Sequence, residues 1–98
     1  MSDPIAEVDP RGLRLPPSRA SGADLWKLHQ QIRQFGSSKD GMPPILVYED
    51  PDGVLEISDG VTRATRIAKL SSGETVPVIV IGRYQRSRLH SPSVSDRI

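Results

Sequence analysis

Five consecutive residues, Asp59-Gly60-Val61-Thr62-Arg63, combine types and spacing that could do chemistry. They follow an apolar, strand-like run and open a stretch with helical periodicity. The first amides of a helix have no intrahelical acceptor, and the helix dipole adds positive potential there, so such a junction is a natural anion site. Gly60 would let the backbone approach a ligand closely. Thr62 offers a hydroxyl, and Arg63 can fork onto phosphate or carboxylate through charge-assisted bonds worth about 1.5–3 kcal/mol each. Asp59 has two readings, as helix N-cap or as a carboxylate for a metal or hydroxyl at the phosphate position, and the cap is the favoured one. Gly60, Val61, Thr62 and Arg63 are thus the phosphate-binding candidates, with Asp59 and Arg63 the candidates for any catalysis.

Three cations spaced by three residues, Arg63, Arg66 and Lys69, drift round one side of the same helix. Arg63 is assigned to the anion site. Arg66 and Lys69 read more simply as a solvated face, with a cationic rim for nucleic acid as the alternative. Residues 83–98 carry four arginines against one aspartate, although the chain as a whole has a net charge of only +1. Arg83, Arg86 and Arg88 could therefore contact a polyanion, but without an aromatic platform beside them a disordered basic tail is the simpler expectation.

Other chemistries find little support. The chain has no cysteine, which excludes disulfides, thiolate catalysis and Cys-ligated metals. His29 and His90 stand in no metal-ligand spacing, and no metal site is expected. Asp50, Asp52 and Glu56 read as solvated turn carboxylates. A general base for hydrolysis or phosphoryl transfer would have to come from Glu49 or Glu56, brought near by the sheet. No apolar run approaches the ~20 residues of a membrane span, and the first ten residues lack signal-peptide character, so a cytoplasmic protein is expected.

The elements that must position the turn follow from periodicity. Ninety-eight residues suit one domain. Short strands fit Ile5–Val8 and Leu13–Leu15, at least one of them joining a sheet. Ser21 and Asp24 read as a capping box opening a helix whose Leu25, Leu28, Ile32 and Phe35 form one apolar stripe, ended by Gly36. A breaker-rich loop over 36–44 precedes strands at 45–49 and 54–58, joined through Asp50-Pro51-Asp52-Gly53 as a hairpin. The second helix spans Val61 to about Leu70, burying Ala64, Ile67 and Ala68, and a final strand covers 76–81. The expected architecture is α+β, a small mixed sheet with two main helices over residues 1–82, followed by a basic, disordered tail from 83 to 98.

The order strand, Asp59-Gly60-x-x-Arg63, helix, short turn and Val-Pro-Val-Ile-Val strand (76–80) resembles the ParB/sulfiredoxin superfamily. The similarity takes in Leu-Pro-Pro-Ser-Arg at 15–19 and Pro-Pro-Ile-Leu-Val at 43–47. It implies a nucleotide or nucleic-acid backbone as partner, held by phosphate at this turn, with Mg²⁺ as the accompanying ion if nucleotide is bound. An alternative at the same turn is a Mg²⁺-dependent nuclease or phosphotransferase, and the small size and basic tail permit a second, a small protein-interaction module without ligand chemistry. Sulfiredoxin activity is excluded, because Val61 stands where that chemistry needs a cysteine. Val61 and Thr62 also replace the Glu-Arg pair of nucleotide-switching partition proteins, and no helix-turn-helix pattern occurs within these 98 residues.

Overall fold

A computed structural model describes residues 5–98. Six regular elements carry the fold: β1 (Ile5–Val8), α1 (Leu25–Phe35), β2 (Ile45–Glu49), β3 (Leu55–Asp59), α2 (Val61–Leu70) and β4 (Val76–Arg83). The strands form one mixed sheet in the order β1-β4-β2-β3. β2 and β3 make the expected antiparallel hairpin, with Val47 opposite Ile57. β4 then lies parallel to β2, with Val47 opposite Val80. A parallel neighbour requires a crossover, and α2 supplies it, so the β3–α2 junction is fixed at one end of the sheet. β1 closes the other side antiparallel to β4, with Ile5 opposite Ile79. The fold is α+β, as expected.

Alternation along the strands turns Ile45, Val47, Ile57, Val76 and Val78 to one face, where they meet Val61, Ala64, Ile67 and Ala68 of α2. Leu13, Leu15 and Val94 complete this core. Leu13–Leu15 is not a strand. Only Arg14 bridges, to Glu56 on one side and Ser93 on the other, and this covers the outer edge of β3.

Three further expectations are corrected. The cap of α1 is Asp24, whose Oδ1 accepts from the amides of Trp26 and Lys27 at 2.9 and 3.2 Å; Ser21 lies in the turn before it. The apolar stripe of α1 is only partly buried. Leu28 is enclosed, but Leu25 and Phe35 are exposed, and a buried arginine lies against the C-terminal half of the helix. That arginine is Arg66, only 2% exposed. It donates to the carbonyls of Gly36 and Ser38, both at 2.8 Å, and burial pulls its guanidinium below the ordinary arginine value.

The tail is folded. β4 continues through Arg83, and Ser93 opens a short 3₁₀ helix, Val94–Arg97, with a capping box to Asp96. Val94 is 1% exposed, and backbone bonds from Leu15 to Pro92 and from Val94 to Leu13 tie the segment down. Composition suggested disorder. The anchoring groups lie elsewhere in the chain: buried Asp50 accepts from the Arg88 amide at 2.8 Å, and buried Glu56 accepts from the Tyr84 hydroxyl at 2.9 Å. Neither carboxylate is the solvated turn group that the sequence suggests. No helix of the described residues is long and apolar enough to cross a membrane.

Candidate functional site

The start of α2 is the feature around which the site is built. Gly60 takes the N-cap position with φ 114°, and no side chain caps the helix. This overturns the expectation that Asp59 is the cap. Asp59 ends β3, its carboxylate accepts from none of the first α2 amides, and Oδ2 lies 3.5 Å from Arg63 Nη2 instead. The first intrahelical bond is donated by Ala64 to Gly60, which leaves the amides of Val61, Thr62 and Arg63 without helical acceptors. By contrast α1 has its own start satisfied by Asp24.

The residues that carry these open amides line a cavity of about 330 Å³. One side is the β3–α2 junction, residues 58–63. The other is made by Pro16, Ser18 and Arg19, with Asp24, Lys27 and Gln31 of α1. Pro17–Arg19 forms a 3₁₀ turn because Pro16 and Pro17 fix φ without needing a donor. Lys27 and Gln31, one turn apart, share a helix face. Arg19, Lys27 and Arg63 outnumber the carboxylates Asp24 and Asp59, and one oxygen of Asp24 is already committed to the α1 cap.

Arg63 is held rather than free. Its Nη2 donates to the carbonyl of Pro44 at 3.1 Å and lies 3.5 Å from Asp59 Oδ2. Its Nε is buried without a partner among the described residues. Arg63 and Gln31 also border a second, less polar cavity of about 240 Å³, lined further by Phe35, Asp40, Met42 and Arg66. The two cavities therefore meet along a shared wall.

No family model matches the chain, and no curated protein matches it. Among solved structures it is similar to the C-terminally truncated chromosome-partitioning protein ParB from Caulobacter crescentus, complexed with CTP-γ-S. The TM-score is 0.53, with 24% identity over 94% of this chain and 48% of that one. The fold is ParB-like. The chain spans about half the length of the ParB structure it matches.

Within this ParB-like domain the sequence-derived candidates separate. Asp59, Gly60, Val61, Thr62 and Arg63 come together on the first cavity. Arg66 does not form a surface rim; it is buried and serves the loop after α1. Lys69 is exposed at the far end of α2 and lines neither cavity. Arg83 pairs with Glu49 at the surface, and Arg88 lies 3.4 Å from Glu56 while stacking 4.1 Å over the Tyr84 ring, so both tail arginines have carboxylate partners within the chain. Arg86 is exposed. Glu49 and Glu56 are committed to these ion pairs and line neither cavity; the carboxylates on the first cavity are Asp24 and Asp59. No cluster of three metal-ligating side chains occurs among the described residues.

Arg19, Lys27 and Gln31 were not singled out by the sequence. The signals existed: Arg19 ends a Pro-Pro-Ser-Arg stretch, and Lys27 and Gln31 fall on the polar side of α1. Nothing in linear spacing ties them to a turn some forty residues later.

Proposed function

We propose that this domain binds the phosphate chain of a nucleotide at the uncapped start of α2, with Arg19 and Lys27 closing on it from the opposite wall. The observation that carries this reading is the uncapped helix start, whose three residues with acceptor-less amides line a cavity together with three cations. A cavity of about 330 Å³ suits a compact phosphate chain better than a continuous nucleic-acid backbone. The adjoining cavity, with Phe35 and Met42 in its wall, offers less polar surface for the remainder of the nucleotide. The CTP-γ-S complex of the ParB structure, whose fold this chain shares, agrees with that choice. Asp59, mostly exposed at the cavity rim, is the carboxylate available to a phosphate-bound Mg²⁺.

Binding without turnover is the favoured form, since Glu49 and Glu56 line neither cavity, Asp24 caps α1 and Asp59 lies 3.5 Å from the Arg63 guanidinium. Calorimetric titration with CTP, ATP and inorganic tripolyphosphate, with and without Mg²⁺, tests the reading. Tripolyphosphate and at least one nucleotide should bind, and Arg19→Ala and Lys27→Ala should each weaken them by about tenfold or more, the loss of one charge-assisted bond. Absence of binding, or affinities indifferent to both substitutions, would overturn it.

A further inference from the structure

The wall of the phosphate cavity that carries Arg19 is not self-supporting. Pro16, Ser18 and Arg19 face the cavity, while the chain just before and just after them is fastened to one short segment near the C-terminus. Before the wall, Leu15 donates to the carbonyl of Pro92 at 2.7 Å, and Leu13 accepts from Val94 at 2.9 Å. After it, Arg97 Nε donates to the carbonyl of Ala20 at 2.9 Å. The fit is close: a Cβ on Gly22 would lie 3.0 Å from Arg97 Cβ, and Gly22 has φ 105°. Between these anchors the wall is a chain of turns, with Arg19 donating to Pro16 and Gly22 to Arg19, each at 2.8 Å.

We infer that segment 92–97 is a strap that positions the Arg19 wall, so that occupation of the phosphate cavity and docking of the strap are coupled. The inference rests on the phosphate-binding reading above and concerns the regulation of that same cavity. A phosphate chain bridging α2 to Arg19 favours the wall position that the strap enforces, and by reciprocity must favour the docked strap. The strap is anchored by Val94 in the core, by backbone bonds to Leu13 and Leu15 and by the Arg14–Ser93 bridge, while its last contact with the wall, through Arg97, is exposed and the one free to respond. Arg97 acts here as a positioning residue, at a distance from the ligand.

The test uses the full chain, with inorganic tripolyphosphate as probe. Arg97→Ala should weaken binding by about fivefold or more, the lower range of such couplings. Arg97→Lys should restore most of the loss, since an ammonium can still donate to Ala20. In an Arg19→Ala background the effect of Arg97→Ala should vanish, because the wall then carries nothing to position. In the wild type, tripolyphosphate should slow amide exchange at Leu15 and Val94. Unchanged affinity in Arg97→Ala, an undiminished effect in the Arg19→Ala background, or exchange at Leu15 and Val94 indifferent to bound ligand would each overturn the coupling and leave the phosphate reading standing. Failure of the wild type to bind tripolyphosphate at all would remove both.

Discussion

Arg63 folds back over Gly60 so closely that a Cβ on the glycine would lie 2.9 Å from the guanidinium Nη2. It would also lie 2.9 Å from Ile45 Cδ1, at a residue whose φ is 114°. Glycine is therefore required twice here, by backbone conformation and by space. Gly60→Ala is expected to destabilise the domain by about 1–3 kcal/mol, the cost of holding a side chain in that region. It should also displace Arg63 from Pro44 and impair ligand binding. A denaturation midpoint and affinity equal to wild type would contradict this.

Arg66 carries no ligand in this account; it supplies the polar contacts that join α2 to the loop after α1. Arg66→Leu removes two part-buried bonds from the guanidinium to the carbonyls of Gly36 and Ser38 and should cost about 1–3 kcal/mol. If Arg66 were instead a surface cation for nucleic acid, the substitution would leave stability unchanged, which urea unfolding would reveal directly.

Acid should release the tail. Burial pushes the Asp50 carboxyl up, but amide bonds from Arg88, Val54, Asp52 and Gly53 outweigh it and hold the group below its ordinary value of 3.8. A folded-state value below the unfolded one contributes stability that is complete above about pH 3.8 and lost as pH falls through the lower folded value. Stability of the wild type should decline in that window, and Asp50→Asn should show a shallower decline. Superimposable pH profiles would contradict the assignment.

At the basic limb the sign reverses. Burial, then the hydrogen bond to Glu56, raise the Tyr84 phenol above its ordinary value of 10.0. Its contribution is complete below pH 10.0 and lost as pH rises through the raised folded value. Tyrosinate absorbance should therefore show one phenol titrating late, and Tyr84→Phe should abolish that component. The same substitution leaves Glu56 Oε1 without its donor, at an expected cost of about 1–3 kcal/mol.

Regular elements were legible wherever hydrophobic periodicity is set by a single partner. The β2–β3 hairpin, α2 and β4 follow directly from alternation and three-to-four spacing, because each packs one face on one core. The turn at 59–63 was legible as an anion site because a strand, a glycine and a helix start adjoin in sequence. Its cap was misplaced by one residue, since Gly60 takes the N-cap position in a left-handed conformation, a matter of φ that residue type does not reveal. Arg66 was misread because its acceptors are carbonyls, which leave no mark in the sequence. The folded tail was missed for a related reason: Arg, Ser and Pro signal disorder by composition, while the groups that order it, Asp50 and Glu56, lie far upstream. Arg19 and Lys27 joined the site only through tertiary approach.

The central claim is that the first amides of α2 receive negative charge. Backbone amide chemical shifts recorded while tripolyphosphate and CTP are added test this most directly. The account expects Val61, Thr62 and Arg63 to move most, accompanied by Arg19 and Lys27 across the cavity. Saturating ligand that leaves those three amides in place, or moves only residues elsewhere on the surface, would contradict it.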